Sequence, residues 1–116
     1  MILETETKRI PPDVVVLKFT GKITLGRESA RIEMQVADLL NEGNKKFVFD
    51  IAAVTYIDSA GLGVIALCSA NVNQAGGVFR VAGAQGLAAK LFRITKLDNV
   101  IPMFPTVEAA TEGLTS

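Results

Sequence analysis

Apolar and polar positions change period several times along the chain, and each change marks an element. Residues 3–9 mix charges with apolar positions and suit a short strand. Pro11-Pro12-Asp13 is turn chemistry, because proline fixes φ and lacks the amide a ladder needs. Val14-Val15-Val16-Leu17-Lys18-Phe19 is β-branched and almost wholly apolar, as in a covered central strand, with Gly21 following as a turn residue. Over residues 25–42 the spacing lengthens. Ile32, Val36, Leu39 and Leu40 fall at i, i+4, i+7 and i+8, the stripe of an amphipathic helix that stops at Gly43. Phe47 to Ile51 reads as a second buried strand, and Val54 to Ile57 continues an extended path. Asp58-Ser59-Ala60-Gly61-Leu62-Gly63 leads into an apolar helical stretch over 64–73, broken by Gly76-Gly77. Val78 to Ala82 is a further strand, ended by Gly83. Leu87, Leu91 and Ile94 keep helical spacing, residues 100–104 suit an edge strand because Pro102 donates nothing, and Thr106 is placed to cap a last short helix.

Strands alternating with helices argue for an α/β domain with a mostly parallel sheet. No linker or fixed-period repeat divides the 116 residues, so a single domain over 1–116 is expected.

Composition narrows the function. At 49% hydrophobic the chain has material for a real core, and twelve cations balance twelve anions. Zero net charge gives no bulk attraction to nucleic acid or an anionic membrane. The absence of histidine removes the Ser-His-Asp triad, the Cys-His dyad and His-ligated metal sites. A single cysteine, Cys68, cannot close an internal disulfide and reads as a small buried hydrophobe in an intracellular chain. No apolar run approaches membrane-spanning length, and the N-terminus does not read as a signal peptide.

One segment breaks local rules. Gly61 and Gly63 stand where a helix starts, although glycine costs about 1 kcal/mol against alanine inside a helix. One reason is structural: close approach of helix and sheet, or relief of crowding in the turn. The other is functional. Ser59 stands at the N-cap position, first-turn amides converge there, and missing side chains leave the surface low enough for a second protein. Ends of strands in open α/β sheets are where sites gather. A nucleophile elbow does not fit, since the residue two before Ser59 is Ile57 and there is no histidine base. Neither a Walker loop nor a complete dinucleotide fingerprint is present. Hence no catalytic residue, metal or cofactor is assigned.

Asp58 to Gly63, preceded by the strand ending in Asp50 and by Val54-Thr55-Tyr56-Ile57, resembles the signature of STAS domains, and more narrowly that of bacterial anti-sigma factor antagonists. The resemblance extends over length, element order and Gly21-Lys22-Ile23. It implies a small α/β superhelix, with a mostly parallel sheet, an N-terminal antiparallel strand and about four helices. It further implies a cytoplasmic switch protein, monomeric or weakly dimeric. Its unphosphorylated form binds an anti-sigma factor that is also a serine kinase with a GHKL-type ATP site, and so frees a sigma factor. Phosphorylation at Ser59 releases it, and a PP2C-type phosphatase restores it. Two positions depart from the family pattern: Thr24 stands where many relatives carry Asp, and Ala52-Ala53 where a small hydroxyl residue is common.

On this reading Asp58, Ser59, Ala60, Gly61, Leu62 and Gly63 form the partner surface, joined by Thr24, Leu25 and Gly26 from a loop at the same end of the sheet. Gly61 and Gly63 give clearance. Leu62 is an apolar contact or a core residue, and Asp58 orients the serine, meets a partner cation or simply starts the helix. Thr24 is also a candidate cap for the first helix. Arg80, Lys90, Arg93 and Lys96 read as a solvated basic face. Two alternatives stay open: a STAS scaffold or adaptor subunit of a stress-sensing or transport assembly, and a small nucleotide- or anion-binding module.

Overall fold

The turn at Pro11–Asp13 folds the chain back on itself, so Glu4–Ile10 (β1) pairs antiparallel with Val14–Ile23 (β2). The computed structural model describes residues 3–114. Arg27–Asn41 (α1), Lys46–Ile57 (β3), Ser59–Gln74 (α2), Val78–Ala82 (β4) and Gly86–Ile94 (α3) follow. A single 3-10 turn over Leu97–Asn99, the two-residue strand Met103–Phe104 (β5) and Val107–Thr111 (α4) complete the order.

The five strands lie in chain order, β1-β2-β3-β4-β5, with every pair after the first parallel. Parallel neighbours taken in sequence, wound in one sense, put every connecting helix on the same face. Accordingly α1, α2 and α3 share one large core with the sheet, built on Phe19, Phe47, Phe49, Ile51 and Phe79. Phe49 stands edge-to-face between Phe19 and Phe79, with centroids 4.8 and 4.6 Å away. The opposite face holds a smaller cluster, in which Ala110 and Leu114 from α4 and the residues after it cover Val14, Val16, Val48 and Ala82. Burial on both faces is why the run from Val14 to Leu17 carries no polar alternation.

Several expectations change. Gly21 does not turn the chain. Its φ of 108° serves irregularities in the β2–β3 register, through which β2 runs on to Ile23. The two extended stretches 47–51 and 54–57 are one strand, β3. The helix after Ser59 begins there, taking in both glycines, rather than at Val64. Thr24 does not cap α1: the N-cap is Gly26, and Ser29 Oγ donates to Gly26 O at 3.0 Å. In α3 the buried stripe is Ala88 and Phe92, while Leu87 and Ile94 are exposed. The edge strand is confined to Met103–Phe104. Arg80 is no part of a solvated face. Its Nη1 donates to Ala110 O and Glu112 O at 2.9 and 3.0 Å, and its guanidinium lies over Phe104. Thr106 caps α4 as expected, its Oγ accepting from Ala109 N at 3.1 Å.

Candidate functional site

At the C-terminal end of the sheet, β2 and β3 finish side by side, with Ile23 opposite Ile57. Asp58 N donates to Ile23 O at 3.3 Å, which ties the start of the next element to the end of β2. Asp58 then caps α2 from extended backbone, at φ −101° and ψ −179°. Its Oδ1 accepts from Gly61 N at 2.7 Å and its Oδ2 from Leu25 N at 3.2 Å. One carboxylate therefore joins the first turn of α2 to the loop between β2 and α1, bridging 33 positions of sequence. The Gly61 amide is the main cause that holds this carboxyl below the usual carboxylate range; the Leu25 and Ala60 amides help, and desolvation opposes them.

Ser59 is thus not the cap but the first residue of the helix, and it is exposed. Asp58 wins the cap because it, and not Ser59, reaches the Gly61 amide. No hydrogen bond engages the Ser59 hydroxyl among the described residues. The hydroxyl stands at the positive end of a 16-residue helix, where added negative charge is favoured.

The remaining candidates divide. Gly63 is exposed, and a Cβ there meets nothing within 4 Å. Leu25 is 82% exposed, Gly26 is exposed, and Thr24 and Ala60 are half-buried. Gly61 and Leu62 face inward, which corrects their expected place on a contact surface. A Cβ on Gly61 falls 2.0 Å from Ile23 O, so that glycine permits close approach of α2 to β2. Leu62 belongs to the main core. Tyr56, near the end of β3 and three residues before Ser59, is 44% exposed.

Chemically the place offers an exposed hydroxyl, an amide-rich helix start and a carboxylate with both oxygens engaged. Three clefts of about 300, 320 and 250 Å³ have linings that do not include Ser59. Among the described residues no His/Cys/Asp/Glu cluster could hold a metal, and no helix is long and apolar enough to cross a membrane. Cys68 is buried, and that burial pushes its thiol up to about 12.

Comparison with known proteins adds a family. The STAS domain model matches residues 6–110. A Thermotoga neapolitana protein named as an anti-sigma factor antagonist homolog is 27% identical over 104 residues, 90% of this chain and 92% of the relative. The crystal structure of a Thermotoga maritima protein titled an anti-sigma factor antagonist shares 24% identity, with a TM-score of 0.85, over 97% of this chain and 95% of that one. The Bacillus cell fate determinant SpoIIAA, solved in its phosphorylated form, is similar in fold at 15% identity and TM-score 0.77, over 96% of this chain and 99% of that one.

Proposed function

The chain belongs to the STAS domain family, and on that premise we propose that it is an anti-sigma factor antagonist switched by phosphorylation of Ser59. The observation that carries this reading is the placement of Ser59: an exposed hydroxyl at the head of α2, beside a loop that Asp58 fastens to the same helix. The unmodified protein docks an anti-sigma factor through Ser59, Gly63 and Leu25. The sigma factor is thereby freed. The partner is also a serine kinase with a GHKL-type ATP site. It transfers the terminal phosphoryl group of ATP to the Ser59 oxygen, releasing ADP and the hydroxyl proton, and in the cytoplasm a PP2C-type phosphatase hydrolyses the ester with water to serine and inorganic phosphate. This chain is the substrate of that exchange and supplies no catalytic group. The phosphorylated state of SpoIIAA supports the reading by analogy.

The physics is local. A phosphate adds about 1.5 to 2 negative charges and three acceptor oxygens. Within the molecule the α2 dipole tolerates it. At a fitted interface it is bulk and charge that must be desolvated. A loss of about 3 kcal/mol lowers affinity more than a hundredfold.

The test is titration calorimetry with the purified anti-sigma kinase, combined with ATP labelling. Wild type and Ser59→Ala are expected to bind alike, Ser59→Asp more than a hundredfold more weakly, and only wild type to accept phosphate. Labelling of Ser59→Ala at the wild-type level refutes the assignment, as does undiminished binding of Ser59→Asp.

A further inference from the structure

β1 forms one margin of the sheet, and among the described residues no strand covers its outer side. Six of its seven residues are exposed and the last is half-buried. An open margin of this kind presents backbone N–H and C=O groups that another strand can use. Which strand fits is written in the charges. Glu4 and Glu6 precede Lys8 and Arg9, so anions occupy the first half and cations the second.

That order suits a reversed copy of itself. About a two-fold axis through Thr7, all seven residues of each β1 find a partner. Glu6 then faces Lys8 of the second copy, and Lys8 faces its Glu6, on the same side of the sheet. A parallel copy in register sets Glu6 against Glu6 and Lys8 against Lys8. The sheet's own register prepares the match, because Lys18 stands opposite Glu6 on one side and Asp50 on the other. Adding Lys8 of the second copy extends the row as Asp50, Lys18, Glu6, Lys8, alternating in sign across four strands.

We propose that β1 is a self-association edge, through which two copies of this chain pair antiparallel and join their five-stranded sheets into one continuous sheet. One added strand pair buries less than the roughly 1,200 Å² of a standard interface, so the dimer is weak, reversible and salt-sensitive. The inference is independent of the role of Ser59.

Sedimentation velocity over a concentration series reaching millimolar, at low and at physiological salt, tests it. Wild type is expected to shift toward dimer with concentration, more so at low salt. Glu6→Lys and Lys8→Glu each turn two opposed pairs repulsive and weaken association by about tenfold or more. The double variant recovers it, because the opposed charges are restored in exchanged positions. Glu6→Lys also meets Lys18 within its own sheet, so the unfolding midpoint of every variant is measured alongside. A monomer at all concentrations overturns the proposal, the edge charges then serving to keep copies apart. A dimer indifferent to single reversals, or a double variant no better than the singles, overturns it equally.

Discussion

Gly61→Ala and Gly63→Ala add the same methyl group two residues apart in α2, yet they are expected to move stability in opposite directions. At 61 the new Cβ falls 2.0 Å from Ile23 O and 2.7 Å from Ile23 C, far inside contact distance. The obstacle is main chain and cannot swing aside as a side chain does. Ile23 O also accepts from Asp58 N, so the end of β2 and the start of α2 are already tied together. Either β2 retreats or α2 tilts, and overpacking of this kind costs about 1–3 kcal/mol. A tilt also strains the Asp58 cap, whose full loss costs about 1 kcal/mol more. At 63 a Cβ meets nothing within 4 Å, and alanine gains up to about 1 kcal/mol of helix propensity. Urea titration at constant m-value reads both changes. For a domain of this size about 1 kcal/mol moves Tm by roughly 4 °C, so the two variants part by at least about 4 °C. A Gly61→Ala protein as stable as wild type refutes the reasoning, and so does a Gly63→Ala protein that is less stable.

Asp58→Ala is expected to cost about 1–2 kcal/mol at neutral pH through loss of the cap and the tie to Leu25. Because the folded carboxyl is depressed, its contribution is present above the unfolded value of about 3.9 and is lost as pH falls through the folded one. The deficit of the variant should therefore shrink on acidification below about pH 4, and a deficit unchanged down to pH 2 contradicts this. Cys68, buried with its thiol pushed up to about 12, should resist iodoacetamide at mildly alkaline pH in the native protein and react in proportion to urea-induced opening; labelling at the rate of a free thiol without denaturant contradicts it. Arg80→Ala removes two hydrogen bonds to the end of α4 and is expected to cost about 1.5–3 kcal/mol in urea titration, with loss of hydrogen-exchange protection confined first to residues 107–114. Unchanged protection there argues against the anchoring role.

Long, strongly patterned elements were legible in the sequence. Ile32, Val36 and Leu39 of α1 are buried as their spacing requires, and the apolar runs at 14–17 and 47–49 are central strands. In α3 the spacing misled. Nine residues make few turns, so Leu87, Leu91 and Ile94 offer one stripe and Ala88 with Phe92 another, and packing against the sheet selected the second. Gly21 looked like a turn because a local rule does not see β3, whose register carries the chain onward past an irregularity. At the site, Asp58 and Ser59 are both good caps, and composition does not separate them. The tie from Asp58 to Leu25 joins residues 33 positions apart and leaves no mark in the pattern of either segment.

That tie has an evolutionary consequence. Asp58 grips residue 25 by its main-chain N–H, so the side chain there bears none of the fastening. Any amino acid with an amide hydrogen, which is to say all but proline, is mounted in the same place. Leu25 is an interchangeable tip on a fixed mount, and descendants of this protein can vary that exposed side chain without relearning how to fold.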